Sequence, residues 1–136
     1  MNTILKNILA VVAGIAIGNI VNMGLITISP SIIPLPEGVN PDDFESMKAN
    51  IHLYGPQHFI MPFLAHALGT LAGALIAVGI AVSHKMKFAI AIGCFFSLGG
   101  IMMVFMLPGT PTWFIALDLI VAYIPMGYLA TKILKA

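Results

Sequence analysis

Two ionisable residues lie inside long apolar runs of this chain, His66 within PFLAHALGTLAG (Pro62 to Gly73) and Asp118 within the run that begins at Trp113. A carboxyl group in a hydrocarbon layer is costly when ionised and alone, so Asp118 must face protein and either be neutral or have a partner. His66 is the natural partner. Held together away from water, a carboxyl and an imidazole form a proton-binding pair that exchanges or releases a single proton. Further polar residues in the apolar runs include Asn22, Asn19, Thr70 and Tyr123. With His66 and Asp118 they make up the expected ligand- or proton-binding set. For the two asparagines the plainer role is interhelical glue.

Other chemistries fit less well. His52, His58 and His66 with Asp118 would offer three nitrogens and an oxygen, an acceptable set for zinc. Residues 58 and 66 are two helical turns apart, about 12 Å, and no histidine pair has the i, i+4 spacing of a helical zinc motif. No metal and no cofactor is therefore expected. Nor is an enzyme the leading expectation: Ser97 falls near mid-membrane and Cys94 deeper, so neither joins His66 as a nucleophile. The single cysteine also excludes an intrachain disulfide and any paired-cysteine metal motif.

These residues have to be positioned by membrane helices. Hydrophobic residues make up 60% of the chain and charged residues 8%, with a mean hydropathy of +1.03, far from the balance of a soluble domain. The 136 residues suffice for one transmembrane domain, residues 1–136, folded as an all-α four-helix bundle. The spans are expected at about 8–28, 59–82, 88–107 and 113–131. The first run is too long for a signal-peptide core and lacks a small-x-small cleavage site, so it reads as a span. Small residues recur every four positions, as Ala10, Gly14 and Gly18 in the first span and Ala65, Gly69, Gly73 and Ala77 in the second. Such ladders let helix backbones approach closely, and packing accounts for them without any chemistry.

Between the first two spans, Ser29 to Pro36 (SPSIIPLP) is expected to break the helix. Asn40 is expected to cap a new helix with Pro41 as its first residue and Asp42 and Asp43 in its first turn. Phe44, Met47, Ile51 and Tyr54 would give this helix, about 41–52, an apolar face. That face fits either the membrane surface or the mouth of the bundle. Pro62 kinks or starts the second span, Thr110 caps the fourth with Pro111 its first helical residue, and Pro125 kinks the fourth near its middle.

Lys6, Lys85, Lys87, Lys132 and Lys135 all fall on one side if the spans alternate, and four of the five acids fall in the loop on the other. By the positive-inside rule both termini are cytoplasmic, and the chain has the character of a multi-pass bacterial inner-membrane protein. His66, Asp118 and Asn22 then lie roughly 10, 8 and 9 Å in from the outer side, a polar layer contributed by three spans. Asn19 and Thr70 one turn deeper, and Tyr123 further down, extend it inward. Gln57, His58, Thr110 and Thr112 surround its outer mouth, where the positive ends of two helix dipoles suit an anionic group.

The four-span plan with both ends inside is similar to that of small multidrug transporters, but their charged signature is missing, with no glutamate in the first span and no arginine anywhere. The leading expectation is a small transport or ligand-binding bundle. The alternative is a structural or accessory subunit of a larger membrane complex, docked through the small-residue faces. The lipid bilayer is the expected partner, with a homo-oligomer or a larger complex beyond it, and a net charge of +1 gives no reason to expect nucleic acid.

Overall fold

Four helical segments of the chain are long and apolar enough to cross a membrane: Thr3–Ile32, Pro56–Ile80, Lys85–Met106 and Thr112–Ile133. The computed structural model describes residues 1–136 and contains helices and turns only. The helices are α1 (Thr3–Ile32), α2 (Phe44–Ala49), α3 (Ile60–Ile80), α4 (Lys85–Met106), α5 (Thr112–Val121) and α6 (Ile124–Ile133).

The prolines and the caps beside them act differently from the sequence expectation in four places. Pro30 does not break α1, which continues to Ile32. A proline in the last turn removes one hydrogen bond and little else, whereas Pro34 forces the residue before it to be extended. Ile33 accordingly has φ −126° and ψ 99°, and the helix stops there. In the loop, α2 is capped by Asp43, whose side chain accepts from the Glu45 amide, and not by Asn40. The Asn40 side chain instead closes a turn on the Asp42 amide at 3.0 Å. This leaves α2 only six residues long with none buried, and it is the following turn that docks, through Ile51, onto Phe59 and Phe114. At the start of the fourth span Pro111 takes the cap position, while the Thr110 hydroxyl donates to the Leu107 carbonyl at 2.8 Å. Pro62 is the third residue of α3, where a missing N–H costs no intrahelical bond, and it neither starts nor breaks the helix.

The glycine ladders build the bundle. A Cβ placed on Gly73 would lie 2.5 Å from the Gly14 carbonyl oxygen, and one on Gly69 would lie 2.9 Å from the Gly18 carbonyl oxygen, so α1 and α3 run in backbone contact. On the other side of the bundle Gly127 meets the Ala89 carbonyl and Gly93 meets the backbone of Tyr123 and Ile124. The core between these seams is made of small side chains, with Ala74, Ala77, Val78, Ala89, Ile92 and Ala130 in one cluster. In a lipid solvent such close packing is what holds helices together, because apolar burial by itself gains little there. At the end that carries the lysines, Asn7 donates to the Ser83 hydroxyl and accepts from the Val82 amide, both at 3.0 Å, tying the start of α1 to the α3–α4 turn.

The fourth span is two helices. It ends once at Val121 and restarts at Ile124, with Tyr123 at φ −118° and ψ −86° between them. Pro125 has no amide to offer the Val121 carbonyl, so the kink expected from sequence appears as a full interruption near mid-span.

Candidate functional site

That interruption assembles the site. In a continuous helix, residues five apart point about 140° away from each other, so Tyr123 would face away from Asp118. The break turns it back. The Tyr123 hydroxyl donates to Asp118 Oδ2 at 3.0 Å, and the ring fits because position 100 on α4 is glycine, where a Cβ would come within 2.5 Å of the hydroxyl. On the other side, His66 Nδ1 of α3 lies 2.8 Å from Asp118 Oδ1 and 3.0 Å from Oδ2. The His66 and Tyr123 rings stack at a centroid distance of 5.8 Å. Asp118 is thus gripped from two directions and is 4% exposed.

A carboxylate only accepts, so His66 Nδ1 carries the hydrogen shared with Asp118, and Nε2 is left as the free nitrogen. The imidazole keeps 19% of its surface accessible, and Nε2 makes no hydrogen bond in the chain. This is the arrangement of a base oriented by a carboxylate, with its second nitrogen presented for proton exchange.

Two further polar atoms lie nearby without partners. Asn22 Oδ1 and Thr70 Oγ1 are buried and make no hydrogen bond. Thr70 is one turn along α3 from His66, and Asn22 packs against Gly69, the residue before Thr70. Such orphaned groups are rare in folded proteins, and they mark a spot where a polar guest would be stabilised. Replacing Thr70 with valine is expected to leave stability unchanged or to raise it by up to about 1 kcal/mol, because the lost hydroxyl had no partner. Thermal unfolding in detergent micelles would measure this, and a clear loss of stability would show that the hydroxyl is bonded after all.

Comparison with protein-family models, curated proteins and solved structures finds no match, so the reading of this site rests on its geometry.

Not every expected residue joins it. Asn19 is exposed on α1 and makes no hydrogen bond, so it does not extend the polar layer inward. It lies one residue, about 100°, round the helix from Gly18, the position that faces α3. At the loop-bearing end, Gln57 and Thr112 are exposed, His58 Nδ1 accepts the Gly55 amide at 2.8 Å, and Thr110 is bonded to its own turn. Between that end and His66 stands an aromatic layer. Phe59 and Phe114 pack at 4.7 Å with their rings tilted by 36°, Trp113 packs edge-on against both, and Phe63, one turn before His66, packs against the cluster. Tyr54 joins the outer edge of this layer, where burial pushes its phenol up from the ordinary value and keeps it neutral. The polar mouth and the trio are therefore separated by aromatic rings. His52 is exposed and His84 sits at the α3–α4 turn beside Ser83, so no three of His, Cys, Asp and Glu come together.

Counted along a continuous helix, Tyr123 lies deeper than Asp118 and on another face, so their direct bond is not visible in the sequence. The only signal for it was Pro125, two residues further on.

Proposed function

We propose that this chain is a small membrane bundle that binds a proton at His66, Asp118 and Tyr123 and uses that event in binding or moving a small solute. The observation that carries the reading is the free Nε2 of a histidine whose Nδ1 is held at 2.8 Å by a buried carboxylate. The break in the fourth span supports it, because interrupted helices near mid-membrane are where secondary transporters place substrate and coupling ions. The orphaned Asn22 and Thr70 oxygens supply hydrogen-bonding capacity for the guest. The lysine distribution supports a multi-pass bacterial inner-membrane location, with both termini cytoplasmic and the trio in the outer half.

A second reading is favoured by the aromatic layer that seals the trio from the loop-bearing end. In that reading the three residues are an interhelical clamp in a structural or accessory subunit, and they bind nothing. Reconstitution separates the two. In vesicles loaded with a pH-sensitive dye, the wild-type protein is expected to conduct or exchange protons in response to a pH step. His66→Gln is expected to lower that rate about tenfold or more while helix content and melting stay near wild type. Equal rates in wild type, variant and empty vesicles would leave only the clamp.

A further inference from the structure

We infer that the Asn19 face of α1 is an interface with a second copy of this chain, the two Asn19 carboxamides bonding to each other across a two-fold axis. Asn19 lies close to the middle of the 30-residue α1 and is exposed with no hydrogen-bond partner. At that depth the surroundings are acyl chains, which offer neither donors nor acceptors, so an exposed amide is uncompensated in the isolated bundle. Every other side-chain amide of α1 is accounted for differently: Asn2 caps the helix, Asn7 ties it to the α3–α4 turn, and Asn22 faces α3.

The occupant follows from the chemistry of the group. A carboxamide carries a partly negative oxygen and partly positive NH2 hydrogens side by side, so its electrostatic complement is another carboxamide in the opposite sense. Two-fold symmetry presents that arrangement, because a residue near the axis meets its own copy. The rest of the face suits a helix. Val12, Ala16, Ile20 and Met23 flank Asn19 at helical spacing and are all exposed, with Ala16 small enough to let a second backbone approach. The α4 side of α1 is already occupied, with Phe96 against Gly18 and Ile92 close to Gly14, and exposed Asn19 lies off those contacts. The glycine ladders do not serve this purpose, because Gly14, Gly18, Gly69 and Gly73 are already in contact inside the bundle.

The experiment uses the full chain labelled with donor or acceptor dyes in phosphatidylcholine and phosphatidylglycerol vesicles, diluted with lipid. The wild-type protein is expected to show energy transfer that falls as lipid is added. Asn19→Leu is expected to weaken association about tenfold, with Asn19→Gln close to wild type. Because position 19 is exposed, neither change threatens the fold, and unaltered melting confirms this. In a Cys94→Ser background, Asn19→Cys is expected to form a disulfide-linked dimer on oxidation, and Ile17→Cys, 200° round the helix, is not. Absence of transfer in the wild type, equal association of Asn19→Leu, or cross-linking at position 17 in place of 19 would each overturn the proposal.

Discussion

Replacing Asp118 with leucine is expected to destabilise the protein by about 3–5 kcal/mol, and replacing it with asparagine by much less, with proton exchange slowed in both because His66 loses the carboxylate that orients it. The difference follows from what each change leaves behind. Leucine strands His66 Nδ1 and the Tyr123 hydroxyl, both bonded to the carboxylate and both cut off from water on that side. Each buried unsatisfied group costs about 1–3 kcal/mol, and two of them exceed anything a better-packed leucine returns. Asparagine keeps one oxygen acceptor and nearly the same shape, but it carries no negative charge to stabilise a protonated His66. Unfolding from mild detergent into denaturing detergent would measure the first effect, and proton exchange in vesicles the second. An Asp118→Leu protein as stable as wild type would show that the trio is not a bonded unit. An Asp118→Asn protein that still exchanges protons at the wild-type rate would remove the carboxylate from the mechanism.

The second large effect is expected at Gly73. Valine there would place a Cβ 2.5 Å from the Gly14 carbonyl oxygen, a backbone atom that moves only if α1 as a whole moves. Overpacking a tight core costs about 1–3 kcal/mol or somewhat more, and here the strain bears on the seam where the α1 and α3 backbones touch. Gly73→Val is therefore expected to detach α1, with a loss of about 3 kcal/mol and new protease cleavage between α1 and α3. Gly79→Val serves as the control, because nothing lies within 4 Å of a Cβ at that position of the same helix. Equal stability of the two variants would mean that the glycine seam does not hold α1 in place.

The asymmetry between these positions shows where sequence patterning is informative. Gly69 and Gly73 lie on a ladder at intervals of four, and Gly79 lies off it; the repeat alone separates packing glycines from idle ones. Asn19 and Asn22 allow no such separation. Three residues apart on one helix, both read as members of one polar layer, yet Asn22 packs against Gly69 while Asn19 is exposed. About 60° of helix rotation decides between them, and the tilt of α1 on α3 is set by the whole seam.

The prolines make the same point. Pro30 looked like the stronger breaker, in a stretch with three prolines among seven residues, but at a helix end it costs one hydrogen bond and the helix passes through it. Pro125 looked like a simple kink. At mid-span, beside Gly93 and Gly127, which let α4 close on the broken backbone, it became an interruption.

Taken by itself, the sequence determined the class of protein, the four apolar spans and the pairing of the two ionisable groups. These depend on hydropathy summed over some twenty residues and on the cost of a lone charge in lipid, neither of which needs coordinates. Only the tertiary structure decided that Tyr123 completes the trio, that aromatic rings separate it from the loop-bearing end and that Asn19 faces outward. Those outcomes turn on side-chain direction around helices whose rotation is set by contacts between distant residues, and on one backbone break that reverses where a tyrosine points.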